Sequence, residues 1–166
     1  IPNNRPVSVE RETFPALLAS NKVVIGVVDD GYWLDLGTPL AFAKGSADLV
    51  QGIAPSPLLV GRTGSAIIEK SATVHPSAIV TGGSYVGHNA SIGAGTVIDR
   101  SVIFNEVQIA GGSRATNSII STAANVGSDC QIVDTVIAER AVIGSNNELV
   151  AGTLVFPDET IEAGTN

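Results

Sequence analysis

From residue 66 onward a branched aliphatic residue returns every six positions, and this periodicity limits the available folds more than any other feature. The series runs Ile68, Val74, Val80, Val86, Ile92, Ile98, then Ile103 and Ile109, with Ala115 in the next slot. It continues at Ile120, Val126 and Ile132, then Ile137, Ile143, Leu149, Val155 and Ile161. Sixteen of these seventeen slots hold Ile, Leu or Val, although those types make up only 46 of 166 residues. Composition alone would fill roughly five. Three steps are five residues long rather than six, ending at Ile103, Ile120 and Ile137.

The residue two before each slot is small. Fourteen of the seventeen are Ala, Ser, Thr or Cys, with Val107, Asn147 and Glu159 the exceptions. Residues i and i−2 of a strand share a face. One face therefore alternates a branched aliphatic with a small side chain, as a narrow prism with tight corners requires. Gly87, Gly93, Gly127 and Gly144 directly follow their aliphatic residues, where the chain turns and a missing Cβ helps. Composition agrees: the chain is 44% hydrophobic, but has only four Phe, two Tyr and one Trp.

This pattern resembles the hexapeptide-repeat left-handed parallel β-helix, an exception to the right-handed crossover rule. The predicted fold is mainly β: a β-helix over 66–166, preceded by the last elements of an α/β domain over 1–53 and a linker over 54–65. Ser101-Val102-Ile103, Ser118-Ile119-Ile120 and Thr135-Val136-Ile137 lie 17 apart, so these coils read 6+6+5. Five to six coils at about 4.8 Å each predict a prism roughly 25–30 Å long. Ile92 and Ile132 are expected to point inward with Ala90 and Cys130.

Residues 1–53 follow a different pattern. Ser8 to Glu12 opens a predicted helix with Phe14, Leu17 and Leu18 on one face, and Pro15 fits only in its first turn. Val23 to Val28 reads as a short buried strand. Thr38 with Pro39 signals the start of a second helix through Ala43, Ala47 and Val50 to Gly52, with Gly45 its weak point. Ala54-Pro55-Ser56-Pro57 is a stiff linker. So few elements cannot bury a core of their own. With no Met and with Ile1 first, the chain is expected to be a fragment.

Sixteen acidic against nine basic residues, without a basic run, argue against nucleic-acid binding. No apolar stretch suits a membrane span and no secretory signal is visible. A single Cys cannot form an internal disulfide, and a reduced cytoplasmic setting is the simple expectation.

Pro6-Val7-Ser8-Val9-Glu10-Arg11-Glu12-Thr13-Phe14-Pro15 and Tyr32-Trp33-Leu34-Asp35-Leu36-Gly37-Thr38-Pro39, followed by Ala47-Asp48-Leu49, resemble bacterial mannose-1-phosphate guanylyltransferases. The second stretch matches their W-x-D-[IVL]-G-T-P signature, and the linker and hexapeptide tail follow in the same order. The resemblance implies an enzyme that joins mannose 1-phosphate and GTP into GDP-mannose, releasing pyrophosphate by in-line attack on the α-phosphate with Mg²⁺ assisting. It implies that Asp35 is a metal ligand and that Glu10 and Trp33 approach the substrate. It also implies a homo-oligomer formed through the β-helix, or regulation by it. No catalytic residue is assigned, because the nucleotide-binding Gly-rich loop and the second metal-binding Asp are missing. Gly111-Gly112-Ser113-Arg114 only superficially resembles that loop.

Each assignment has a plainer counterpart. Asp35 suits a loop carboxylate accepting backbone N–H groups, Glu10 an ordinary first-turn acid, and Trp33 a packing residue. His75 and His88 raise the rival of a hexapeptide acyltransferase, yet both lie in regular repeat text and read as corner residues. Cys130 reads as core, and Arg100, Arg114 and Arg140 as solvated or ion-paired. Two further rivals are a pyrophosphorylase acting on glucose 1-phosphate and a non-catalytic, pyrophosphorylase-like assembly subunit.

Overall fold

The computed structural model describes residues 1–150 and 152–165. Contacts divide the chain into two compact units, Ile1–Gly31 and Tyr32–Asn166.

In the first unit Ser8 accepts the N–H of Arg11 and starts a π-helical turn, Val9–Thr13, which runs into α1, Phe14–Ala19. Pro15 sits in the first turn of α1, where its missing N–H costs nothing. Val23 to Val28 does not form the expected strand; it has no regular structure, and Val27 and Val28 are almost wholly exposed. A strand needs a hydrogen-bonding neighbour, and no described strand pairs with this one.

The second unit is a three-sided parallel β-helix with one helix, α2 (Pro39–Gln51), on its first face. The first face stacks Ala66–Ile68, Ser84–Val86, Val102–Ile103, Ile119–Ile120, Val136–Ile137 and Leu154–Val155. The second stacks six strands from Thr73–Val74 to Thr160–Ile161, and the third five from Ile79–Thr81 to Glu148–Leu149. Pairing is in register, Val86 beside Ile103 and Ile103 beside Ile120. The expected series is the core: Val86, Ile98, Ile103, Ile120, Ile132 and Ile137 are fully buried, as are Ala90, Cys130 and Ile92 within a few per cent. In the terminal coils Val74, Val80 and Ile161 are only half-buried, and Ile68 is 44% exposed although it registers with Val86. It belongs to the first strand of its face, so no coil lies beneath it.

The small residues do more than leave room. At the corner between the third and first faces, Ser84, Ser101, Ser118 and Thr135 form a hydroxyl ladder. Each hydroxyl donates to a carbonyl two or three residues earlier in its own corner. Ser84, Ser101 and Ser118 each also accept the N–H of the next member at 3.1–3.2 Å. The five-residue steps end just after Ser101, Ser118 and Thr135, so the side chain closes a corner one residue short. A second column, Thr96, Ser113 and Cys130, donates to Ala110, Gly127 and Gly144 carbonyls.

From residue 87 onward the described corners turn through one residue in left-handed backbone, whereas those at 69–72 and 75–78 use none and the one at Gly82 and Gly83 uses two. Arg100, Asn117 and Asp134 occupy one corner; Asn89, Glu106, Ala123, Arg140 and Asp158 the second; Asp129 and Asn146 the third, all with φ between 47° and 63°. Asn and Asp tolerate this region better than most residues. The glycines after the aliphatic slots serve close approach instead. A Cβ on Gly127 would lie 2.5 Å from the Ser145 nitrogen of the next coil.

Helix α2 crosses the strands of the first face. Its first turn lies near Val136 and Leu154, and its last near Ile67 and Tyr85. Thirteen residues span about 20 Å, close to four strand spacings. The outward residues Ile67 and Val102 are consequently buried, as are Ala43, Gly45, Ala47 and Val50 of the helix. Gly83 sets the approach: a Cβ there would lie 2.7 Å from the Ala47 carbonyl oxygen. The helix ends at Gly52, whose φ of 78° suits its C-terminal cap.

Candidate functional site

Tyr32 to Pro39 lies on α2, and its alternation sorts the side chains. Leu34 and Leu36 face the helix at Gly45, where a Cβ would meet Leu36 Cδ2 at 2.7 Å and Leu34 Cδ2 at 3.2 Å. Gly45 is thus a seat for these leucines rather than a weak point in the helix. Leu34 is half-buried there while Leu36 keeps 54% of its surface exposed; Trp33 and Asp35, on the alternate positions, are exposed, Trp33 to 81%. Asp35 Oδ1 accepts the N–H of Gly37 at 3.0 Å, fixing the turn that leads into α2. Thr38 then accepts the N–H of Ala41 at 3.2 Å, with Pro39 as the first helical residue.

The loop has a second anchor. The Tyr32 hydroxyl donates to Asp48 Oδ2 at 2.7 Å, and Lys44 Nζ donates to the same oxygen. The Lys44 ammonium, and then the Tyr32 hydroxyl, hold the Asp48 carboxyl below the usual carboxylate range against the opposing effect of burial. The same contacts act in reverse on the donors: Asp48 pushes the Tyr32 phenol up and holds the Lys44 proton on. Asp48 is buried on the helix face, so its charge needs both partners. No sequence motif assigns Asp48 a role. The Lys44/Asp48 pair at i,i+4 was the available signal.

Of the residues expected at the site, Trp33 and Asp35 share this loop, while Glu10 lies exposed in the π-helical turn of the Ile1–Gly31 unit. Among the described residues no group of three or more His, Cys, Asp or Glu side chains is placed to hold a metal. Asp35 can contribute a single hard ligand.

The other singled-out residues occupy the β-helix. His75 Nδ1 accepts the Ser77 N–H at 3.1 Å. His88 Nδ1 is 3.1 Å from Ser71 Oγ, and its Nε2 lies 3.9 Å from Glu69. Glu69 also accepts from Arg62 at 2.9 Å, which ties the linker to the first coil, and Arg62 is the main reason its carboxyl is held low. Cys130 is buried in its column, Arg140 pairs with Asp158, and Arg114 faces outward.

Comparison with known proteins agrees with this layout. The GMPPB C-terminal domain family matches residues 62–166. The chain is 54% identical over 110 residues to the mannose-1-phosphate guanylyltransferase of Mycobacterium tuberculosis, covering 66% of this chain and 31% of that protein. It is 29% identical over 101 residues to a probable mannose-1-phosphate guanylyltransferase of Oryza sativa, covering 59% and 27%. The chain thus spans about a third of the length of these relatives. Among solved structures, the GDP-perosamine N-acetyl transferase of Caulobacter crescentus aligns with 20% identity and a TM-score of 0.47, over 89% of this chain and 83% of that one. That likeness is too distant to bear on activity. The match over the whole hexapeptide region places this chain in the GMPPB C-terminal domain family.

Proposed function

We propose that the chain is the C-terminal part of a mannose-1-phosphate guanylyltransferase, which makes GDP-mannose and pyrophosphate from mannose 1-phosphate and GTP. The 54% identity to the mycobacterial relative carries this reading. Residues 1–53 are then the end of the α/β nucleotidyltransferase domain, 54–65 the linker and 66–166 the β-helix domain. The exposed, apolar Val23 to Val28 supports this, because such a segment suits a strand of a larger sheet.

Asp35 supplies one carboxylate to Mg²⁺, and Glu10 and Trp33 border the substrate. The turn at Gly37 engages Asp35 Oδ1 while the carboxylate stays exposed, as a ligand shared with phosphate oxygens needs. Bound Mg²⁺ supplies charge neutralisation at those phosphates. The remaining ligands come from substrate and from the rest of the enzyme. The β-helix serves homo-oligomer assembly or regulation. A cytoplasmic setting suits the unpaired, buried Cys130; no described helix is long and apolar enough to cross a membrane.

The test is pyrophosphate release by the intact enzyme across a panel of sugar 1-phosphates and nucleoside triphosphates. Highest kcat/KM for mannose 1-phosphate with GTP is expected. A preference for glucose 1-phosphate would reassign the substrate, and no pyrophosphate with any pair would remove the enzymatic reading.

A further inference from the structure

We infer that α2 is a strut through which the β-helix positions the Asp35 loop, with Asp48 and Tyr32 as its positioning residues. The inference rests on the proposed role of Asp35 only for its consequence; the mechanical linkage stands on its own contacts. Three of them lie in sequence along one helix. At Ala47, α2 meets the β-helix so closely that only a glycine fits at position 83. One residue on, the Asp48 carboxylate receives the Tyr32 hydroxyl at 2.7 Å. Half a turn earlier, Gly45 receives Leu34 and Leu36, the residues on either side of Asp35.

The loop has few other restraints of its own. Trp33 and Asp35 face away from the helix, and the Asp35–Gly37 hydrogen bond fixes the carboxylate only relative to its own turn. The turn is joined to α2 through Thr38 and Pro39, and the grip of Asp48 on Tyr32 and of Gly45 on the two leucines holds the rest of the loop along the helix. A shift of α2 on the first face would therefore carry Asp35 with it. An interaction at the β-helix then has a physical route to the metal ligand: a rigid helix seated at one end of the contact chain and gripping the loop at the other. Ligand-supporting residues of this kind commonly alter metal affinity by about tenfold or more when removed.

The test uses this chain without nucleotide, sugar or metal, so it is independent of the catalytic assignment. Amide exchange at Gly37 reports the Asp35 turn, and Trp33, the single tryptophan, reports loop motion through fluorescence anisotropy. Tyr32→Phe removes the grip on the loop. Ala47→Val adds bulk at the seat on Gly83 without touching the loop or the β-helix interior. Both variants should speed Gly37 exchange by about fivefold, the worth of one net hydrogen bond, and both should lower Trp33 anisotropy. The amides of Ser101 and Ser118 should keep wild-type protection and so certify the fold. Wild-type Gly37 exchange and Trp33 anisotropy in folded Tyr32→Phe would overturn the grip. The same result in folded Ala47→Val would overturn the coupling to the β-helix.

Discussion

The hydroxyl of Ser101 accepts the backbone N–H of Ser118 at 3.1 Å, although the two residues sit in successive coils. Ser118 repeats the arrangement with Thr135 at 3.2 Å and donates to the Thr116 carbonyl at 2.8 Å. Ser118→Ala removes these bonds and leaves the Thr135 N–H buried without its acceptor. The expected loss is about 1–3 kcal/mol, read as a lower denaturation midpoint with an unchanged slope. A midpoint equal to wild type would mean the corner closes without its hydroxyl.

The inward register is tested by adjacent residues. Ile132 is fully buried and Gln131 is exposed on the same strand. Ile132→Asp places an unpaired charge in an apolar prism, and the effective penalty is several kcal/mol against a total stability of about 5–15 kcal/mol. Gln131→Glu should be nearly neutral. Thermal melts of the two variants would contradict the register if Gln131→Glu were the damaging one.

Ala123 holds the left-handed conformation with φ of 60°. That conformation costs about 1–2 kcal/mol for a residue with a Cβ, while glycine gives back about 0.5–1 kcal/mol through its freer unfolded chain. Ala123→Gly should therefore stabilise the β-helix by about half a kcal/mol. A lowered melting temperature would show that the Ala123 side chain contributes packing that outweighs the strain.

Acid should loosen α2 through Asp48. Its folded-state affinity for a proton is lowered, chiefly by Lys44 and then by Tyr32 with burial opposing. The ionised form therefore stabilises the fold at pH values above the ordinary carboxylate range near about 4, and this contribution is lost as the pH falls through the lower folded value. Between neutral pH and about pH 3 the wild type should lose more stability than Asp48→Asn. Parallel pH profiles would mean that the charge of Asp48 adds nothing.

Most of the β-helix was legible because its grammar is local and repeated. Six-residue spacing fixed which side chains point inward, and the three short steps located the corners that Ser101, Ser118 and Thr135 close. The positions of left-handed backbone were less visible, since Arg100, Glu106 and Ala123 carry no turn signal of their own. Val23 to Val28 misled because the apolar pattern of a strand says nothing about whether a neighbour is present to pair with it. At the site, the motif around Asp35 pointed to the loop and the capped helix. The Tyr32–Asp48 bond and the Gly45 seat were not legible, because they arise from how the loop folds back along α2.

Under the proposed function, Asp35 contributes a metal ligand to a guanylyltransferase that this chain completes. The most direct measurement is pyrophosphate release from GTP and mannose 1-phosphate by the intact enzyme and its Asp35→Asn variant, titrated with Mg²⁺. Asn keeps the side-chain size and can still accept the Gly37 N–H, but it removes the anionic ligand. The account predicts a folded variant with kcat reduced by about a hundredfold or more, the loss expected when transition-state charge stabilisation is removed, and a raised Mg²⁺ requirement. The isolated 166-residue chain should release none. Wild-type turnover with an unchanged Mg²⁺ dependence in Asp35→Asn would contradict it and leave Asp35 as a turn residue alone.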